Sequence, residues 1–203
     1  MIVTISNEYG SDALAVARAV AALLGYEYVD HQLPIVVAKR LHTTPEAVEA
    51  NEDTGPTLGE RLLNSLELAT PELAEASLAK PFDQELLRAV QDAVREYASY
   101  GNAVIVGRGA SVILGARADV LRVFMYAPRE WRIARVIKAT LAAREAAENE
   151  VDRVDRARAA YIRDWYGLTF GDPRNYDLCI DTSRLEIEQS TASIAAAVRA
   201  RTT

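Results

Sequence analysis

Short apolar runs and longer amphipathic stretches alternate along the chain. The apolar runs are rich in β-branched residues and end at polar or glycine-containing turns, a pattern typical of strands. We predict five strands, at residues 2–5, 26–30, 103–106, 120–127 and 176–180. The third run is apolar at every position, as expected where helices cover both faces of a parallel sheet. The alternation therefore predicts an α/β fold, a five-stranded parallel sheet with helices on both faces.

The segments between the predicted strands have helical spacing. Residues 13–24 are expected to form a helix that ends at Gly25, where glycine allows the left-handed turn that often closes a helix. Residues 43–80 are acidic and mostly helical in pattern, which predicts an inserted helical subdomain. A basic helical region follows Pro128 and extends over residues 129–170. With 203 residues, half of them hydrophobic, the chain is long enough for a single domain with such an insert.

The first strand leads into a turn-rich loop and then into a helix. The loop, residues 6–12, contains Gly10 and Ser11. In P-loop enzymes this order of elements points backbone N–H groups and the positive end of a helix at a phosphate. A lysine usually completes such a loop, but the first lysine of this chain is Lys39. The pattern predicts a phosphate site whose usual cation is missing.

Charge is distributed unevenly along the chain. The net charge is −6, which argues against general nucleic-acid binding. Residues 1–104 carry 7 basic and 16 acidic side chains, whereas residues 105–165 carry 12 basic and 8 acidic ones. The basic window is consistent with a solvated helix of mixed charge. It is equally consistent with arginines that converge on a polyanionic small molecule, because a guanidinium group matches phosphate oxygens in a bidentate way.

Several other classes of protein find no support in the sequence. We expect a cytoplasmic protein that does not interact with membranes, since no apolar stretch approaches the length of a membrane helix. His31 and His42 do not form a metal-binding motif. The single cysteine, Cys179, stands in an apolar run and is predicted to be a buried core residue. No Gly-x-Gly-x-x-Gly motif follows the first strand, which argues against a Rossmann dehydrogenase.

Four segments, in this order, resemble the cytidylate kinase-like family. They are the first strand with residues 6–11, the strand that ends in Gly107-Arg108-Gly109-Ala110, the helical segment 155–161, and Asp172-Pro173-Arg174-Asn175-Tyr176-Asp177-Leu178. The resemblance spans nearly the whole chain. It implies a P-loop nucleoside monophosphate kinase-like fold with a helical acceptor-binding insert (43–80) and an arginine-rich lid (129–170). It also implies ATP and Mg²⁺ as cofactors, and CMP or dCMP as the acceptor.

The same resemblance suggests roles for residues of the first loop. The residues that would bind the phosphates of ATP are Asn7, Tyr9, Gly10, Ser11, Asp12 and Ala13. Ser11 is the candidate protein ligand of Mg²⁺, which needs only one or two protein oxygens. Asp30, at the end of the second strand, is a candidate for acceptor binding or outer-sphere contact to Mg²⁺, or simply the cap of the next helix.

The resemblance also suggests catalytic arginines. Arg108, Arg132 and Arg158 would hold phosphates, and Gly107, Arg108 and Asp155 would contact the acceptor. Asp155 and Arg158 lie on one face of a helix, so the carboxylate either orients the guanidinium group or forms an ordinary surface ion pair with it. In related cytidylate kinases Arg108 is followed by an aspartate, which Gly109 replaces here.

Departures from the family pattern leave two hypotheses. The family's loop has two glycines after the serine, where this chain has Asp12 and Ala13, and an arginine where it has Asn7. An aspartate in the loop places like charge near a phosphate unless it turns away. The first hypothesis is ATP-dependent phosphoryl transfer to a nucleoside monophosphate, with another small hydroxyl or phosphate acceptor as a variant of it. The alternative is a catalytically impaired nucleotide-binding or regulatory module, and in either case we expect a homo-oligomer.

Overall fold

The sheet is parallel throughout. The computed structural model describes residues 1–29 and 79–202. The strands of these residues are β1 (Ile2–Asn7), β2 (Glu27–Val29), β3 (Ala103–Val106), β4 (Val120–Tyr126) and β5 (Leu178–Asp181). They are arranged in the order β2-β3-β1-β4-β5, and every neighbouring pair is parallel. The predicted five-stranded parallel sheet is confirmed.

Six α-helices accompany the sheet in the described residues. They are α1 (Ala13–Leu24), α2 (Ala79–Tyr100), α3 (Ala110–Leu114), α4 (Arg129–Thr140), α5 (Arg144–Tyr166) and α6 (Ile187–Thr202). The predicted first helix has the observed bounds, and Gly25 caps it with φ 67° and an N–H bond to the carbonyl of Ala21. The predicted insert, 43–80, lies outside the described residues except for its last two, which begin α2. Asp30 lies outside them as well.

Helices cover both faces of the sheet. On one face, α2 and α3 pack against β-strand residues such as Ile2, Val29 and Ile105. On the other face, α1 and α6 pack against the alternate positions, among them Val3 and Val104. Adjacent strand residues point to opposite faces, so strands covered on both sides are apolar at consecutive positions. The apolar runs in the sequence are therefore a consequence of the two helical layers.

Helices α4 and α5 form a separate layer beside the first loop. Their contact is a small cluster of buried apolar residues, Ile133, Val136, Ala147 and Val151, and the partly buried Tyr9 packs against it. Arg129 of α4 and Asp152 of α5 form an ion pair at 2.8 Å. This layer brings the basic part of the chain next to the end of β1.

The residues just before β5 make contacts that stabilise the fold. Asp172 caps a short 3₁₀ turn, Pro173–Asn175, by accepting a hydrogen bond from the backbone N–H of Arg174. Tyr176 stacks on Phe124 with ring centroids 4.9 Å apart. Asp177 accepts hydrogen bonds from the side chain and backbone of Arg122 and forms an ion pair with Arg201 at 3.2 Å. These contacts hold the last strand and the last helix on the sheet.

The prediction that Cys179 is buried is wrong. The residue is exposed, although the next residue, Ile180, is 2 % exposed. Alternate residues of a strand face opposite sides, and β5 lies at the edge of the sheet, where the side occupied by Cys179 is open. An apolar run marks a strand but does not show which strand is outermost.

Candidate phosphate-binding site

A cavity of about 610 Å³ opens at the carboxyl ends of β1 and β3. Ligands of open α/β sheets bind at this edge. The walls come from the first loop, the start of α1, the turn after β3, and the facing sides of α4 and α5. The polar and glycine residues of this lining are Ser6, Asn7, Tyr9, Gly10, Ser11, Asp12, Arg18, Gly107, Arg108, Gly109, Arg135, Thr140, Arg158 and Tyr161.

The first loop is held by its own hydrogen bonds. The hydroxyl of Ser11 donates to the carbonyl of Glu8 at 2.7 Å, and the side chain of Asn7 donates to the same carbonyl at 2.8 Å. Gly10 has φ 79° and Asp12 has φ 55°. These left-handed residues turn the chain so that α1 starts at Ala13, with its N-terminus at the cavity. Backbone N–H groups at such a helix start favour an anion.

Helix α4 packs directly on Gly10. A Cβ atom at Gly10 would lie 2.9 Å from the carbonyl oxygen of Arg132 and 3.0 Å from Cγ2 of Val136. Glycine is therefore required twice at this position, for its left-handed backbone and for its lack of a side chain. The loop and α4 form one packed unit.

Arg132 is the centre of a buried network that fixes Tyr9. The residue is 6 % exposed. Its Nη1 donates to the carbonyl of Tyr9 at 2.9 Å and to Oδ2 of Asp155 at 2.6 Å, and its Nε donates to the carbonyl of Ala127 at 3.0 Å. The other oxygen of Asp155 accepts the backbone N–H of Tyr9 at 2.9 Å. Arg132 of α4 and Asp155 of α5 thus bind the backbone carbonyl and the backbone N–H of Tyr9.

Glu8 completes this network. Its Oε2 lies 3.2 Å from Nε of Arg132 and accepts the backbone N–H of Ala127 at 3.2 Å. Burial raises the pKa of Glu8, while the charge of Arg132 works in the opposite direction. Glu8 was absent from the candidates drawn from the sequence. Its position two residues before Gly10 does not show whether its side chain points toward the cavity or toward α4.

The turn after β3 brings Arg108 to the cavity. Gly107, Arg108 and Gly109 are all left-handed, with φ 70°, 57° and 66°. An arginine in this conformation is uncommon and marks a strained backbone, which is often found at functional sites. At Gly109, a Cβ atom would lie 3.2 Å from the ring of Tyr166 and 3.3 Å from that of Tyr161. These rings fill the space into which the aspartate of related kinases would extend.

Arg158 reaches the cavity from α5. Its Nη1 donates to the carbonyl of Asn7 at 2.9 Å, and its guanidinium carbon lies 6.0 Å from the centre of the Tyr9 ring. The sequence left open whether Asp155 orients Arg158 or merely pairs with it. The carboxylate of Asp155 accepts hydrogen bonds from the backbone N–H of Tyr9 and from Nη1 of Arg132. The shared helix face brings both residues to the first loop.

The carboxylate of Asp12 is matched by a cation that sequence reasoning missed. Arg135 of α4 contacts Oδ2 of Asp12 at 2.9 Å, and both residues line the cavity. The only sequence signal for Arg135 is its position one helical turn after Arg132. Arg18 of α1 also lines the cavity, and its guanidinium group lies over the ring of Tyr28 at 5.5 Å.

The cavity brings together most of the residues predicted to bind nucleotide. All six residues predicted in the first loop line it, as do Gly107, Arg108 and Arg158. Arg132 and Asp155 are not among its lining residues and instead contact the loop from behind.

The residues present are compatible with a magnesium ion bound through phosphates. Ser11 is 1 % exposed and lines the cavity. Its hydroxyl donates a hydrogen bond to the backbone carbonyl of Glu8, so its oxygen lone pairs remain for a metal. Among the described residues of the lining, Asp12 is the only carboxylate. Within residues 1–29 and 79–202, no group of three or more His, Cys, Asp or Glu side chains forms a metal cage. Mg²⁺ rarely uses such a cage and is usually held by one or two protein oxygens together with substrate phosphates.

No helix in the described part of the chain has both the length and the apolar composition needed to cross a membrane.

Comparison with known proteins links this geometry to a family. A sequence profile of the cytidylate kinase-like family matches residues 2–184. A cytidylate kinase from Natronomonas pharaonis is 27 % identical over 200 residues, which cover 98 % of this chain and 90 % of the relative. An uncharacterised protein from Eubacterium ventriosum has a similar structure, with a TM-score of 0.68 and 19 % identity over 98 % of both chains. A shikimate kinase from Bacteroides thetaiotaomicron has a TM-score of 0.54 and 14 % identity, also over 98 % of both chains. The fold is that of P-loop kinases.

Proposed function

Because the chain belongs to the cytidylate kinase-like family, we propose that it transfers the terminal phosphoryl group of ATP to a nucleoside monophosphate, CMP or dCMP. The observation that carries the proposal is the convergence of cationic groups on one cavity. Arg108 comes from the turn after β3 and Arg158 from α5. Both line the cavity at which the N-terminus of α1 lies. A phosphate bound there meets positive charge from separate elements of the fold.

This arrangement suits the chemistry of phosphoryl transfer. The transition state spreads negative charge over three equatorial oxygens, so that catalysis depends on positioning and on cationic stabilisation. Arg108, held at the carboxyl end of β3, would bind the acceptor phosphate. Arg158, anchored on the carbonyl of Asn7, would reach the transferred group. Mg²⁺ bound to the donor phosphates and to Ser11 would supply further charge stabilisation.

Arg132 and Asp155 have a positioning role in this proposal. They bind the N–H and carbonyl of Tyr9 and so fix the loop that receives ATP. The layer of α4 and α5, within the proposed lid of residues 129–170, would exclude water from the reacting groups. Tyr161, whose pKa is raised well above its ordinary value by burial, remains neutral and contributes an aromatic wall.

The proposal is tested by replacing Arg108. ADP release from Mg-ATP is measured in a coupled assay with CMP, dCMP, UMP and AMP as acceptors. We expect release to require CMP or dCMP, and Arg108→Ala to lower kcat/KM by about a hundred- to a thousandfold. Thermal unfolding should change little, since alanine adopts the left-handed backbone no less easily than arginine.

The matched control is Arg117→Ala. Arg117 contacts the carboxylate of Asp119, is half-exposed and lies outside the cavity lining. It should retain full activity. Equal activity of the Arg108 variant and this control would contradict the assigned role of Arg108.

One observation favours a second candidate, a nucleotide-binding module without turnover. Asp12 places a carboxylate in the loop that should receive phosphates, and this carboxylate is already paired with Arg135. If that pair persisted, ATP would be excluded and only the acceptor subsite at Arg108 would bind. Binding of CMP without binding of ATP, measured by isothermal titration, would favour this candidate over the kinase.

A further inference from the structure

Asp12 is the least expected residue of the cavity. It directly precedes α1, where backbone N–H groups favour an anion, and it is left-handed with φ 55°. An aspartate before a helix usually caps it, but the side chain of Asp12 makes no capping hydrogen bond to α1. Its carboxylate extends instead to Arg135, at 2.9 Å. The carboxylate therefore pairs with Arg135 across the cavity and does not cap α1.

Arg135 has hydrogen-bonding capacity that its contact with Asp12 does not use. Its side chain is 41 % exposed, and its guanidinium group lies over the ring of Trp131 at 4.6 Å, which holds it beside the cavity. Its Nε is buried and has no hydrogen-bond partner among the described residues. The ion pair with Asp12 thus leaves the fork of donors incompletely used. A phosphate group offers more acceptor oxygens than one carboxylate.

This pair lies at the loop that has no lysine. Residues from Tyr9 to Ala15 line the same cavity as Arg135, and a Cβ atom at Gly10 would meet Arg132 and Val136 of the same helix. Since the loop contains no lysine, Arg135 is the cation that α4 contributes beside the start of α1.

We propose that Asp12 occupies the place of a donor phosphate at Arg135, and that the triphosphate of ATP displaces Asp12 from this guanidinium group when it binds. Arg135 then provides the charge that lysine provides in other P-loops, and Asp12 makes ATP binding weaker by competing for it. This inference rests on the proposed kinase function, because it concerns the donor side of the same cavity.

The test is the affinity for Mg-ATP without an acceptor, measured by isothermal titration. Asp12→Asn removes the charge and keeps a residue that tolerates the left-handed backbone. We expect ATP to bind about fivefold more tightly to this variant, the change expected for loss of a partly exposed ion pair. Asp119→Asn is the control, since Asp119 pairs with Arg117 at 2.6 Å outside the cavity lining, and the ATP affinity of this variant should equal that of the wild type.

Arg135→Gln separates competition from simple repulsion. We expect this variant to bind ATP about tenfold more weakly, because a charged hydrogen-bond donor is lost. In its background, Asp12→Asn should no longer give the full fivefold gain, since no guanidinium group remains to be released. An equal gain in both backgrounds would overturn the inference and leave Asp12 as a mere like charge. Circular dichroism verifies that each variant is folded.

Two further outcomes separate this inference from the proposed function. If Asp12→Asn loses ATP binding while the wild type turns over CMP, the inference is wrong, the kinase function stands, and Asp12 belongs to the magnesium site. If neither the wild type nor any variant binds Mg-ATP, both proposals fall.

Discussion

Replacement of Gly10 by alanine tests whether the first loop and α4 are one packed unit. The added Cβ would meet two atoms of α4, the carbonyl oxygen of Arg132 at 2.9 Å and Cγ2 of Val136 at 3.0 Å. The carbonyl is part of a helix and cannot rotate away, so α4 must shift or the loop must lift. Either movement stretches the 2.9 Å bond between Arg132 and the carbonyl of Tyr9.

The expected loss of stability has two parts. A Cβ atom in a left-handed backbone costs about 1 kcal/mol, and overpacking against a fixed neighbour costs about 1–3 kcal/mol. Gly25→Ala is the matched control, because Gly25 has φ 67° but nothing within 4 Å of its added Cβ. The control isolates the backbone cost. The Gly10 variant should therefore be about 1–3 kcal/mol less stable than the Gly25 variant.

Urea unfolding followed by circular dichroism and by tryptophan fluorescence measures this difference. Trp131 and Trp165 lie in α4 and α5, so fluorescence reports on the layer that should move. Equal losses of stability in the two glycine variants would refute the close packing of α4 on the loop, and with it the view that α4 positions the phosphate site.

Two further variants test the charged networks. Arg132→Met leaves the carboxylates of Glu8 and Asp155 without their shared cation, and should lower the free energy of unfolding by about 3 kcal/mol. Unchanged stability with lost activity would instead mean that Arg132 contacts the substrate phosphates directly. The pKa of Asp177 is lowered to about 2, mainly by hydrogen bonds from Arg122. The charged carboxylate therefore stabilises the folded protein above the ordinary carboxyl pKa, and this stabilisation is lost as the pH falls from about 4 to about 2. Asp177→Asn should therefore cost about 1–2 kcal/mol at pH 7, by urea unfolding, and the difference from wild type should shrink below pH 4. The exposed Asp119→Asn should cost little at any pH, and a pH-independent loss for Asp177→Asn would contradict the ion-pair explanation.

Much of the fold could be predicted because it depends on local patterns. Buried parallel strands are apolar at every position, as at β3, and α1 is bounded by a turn-rich loop and by Gly25. The order of strands in the sheet is not a local property, and so the exposure of Cys179 at the outer strand was missed. Sequence periodicity reports which residues form a strand, but not which neighbours the strand acquires.

The candidate site divides in the same way. The first loop and Arg108 could be located because each follows a recognisable strand. The pair of Asp12 and Arg135 joins residues far apart in the chain, and nothing near either residue indicates the other. The resemblance to the family indicated Arg132, but the burial of this residue depends on the packing of α4 against the loop. Long-range contacts decide which arginines face the cavity.

The most direct test of the central claim is the product formed from ATP and CMP. Wild-type protein is incubated with Mg-ATP and CMP, and the nucleotides are separated by anion-exchange chromatography and identified by phosphorus NMR. The account predicts equal amounts of CDP and ADP, with neither product formed when CMP or ATP is omitted. ADP without CDP, or no product from folded protein, would contradict phosphoryl transfer to this acceptor at the cavity of Arg108 and Arg158.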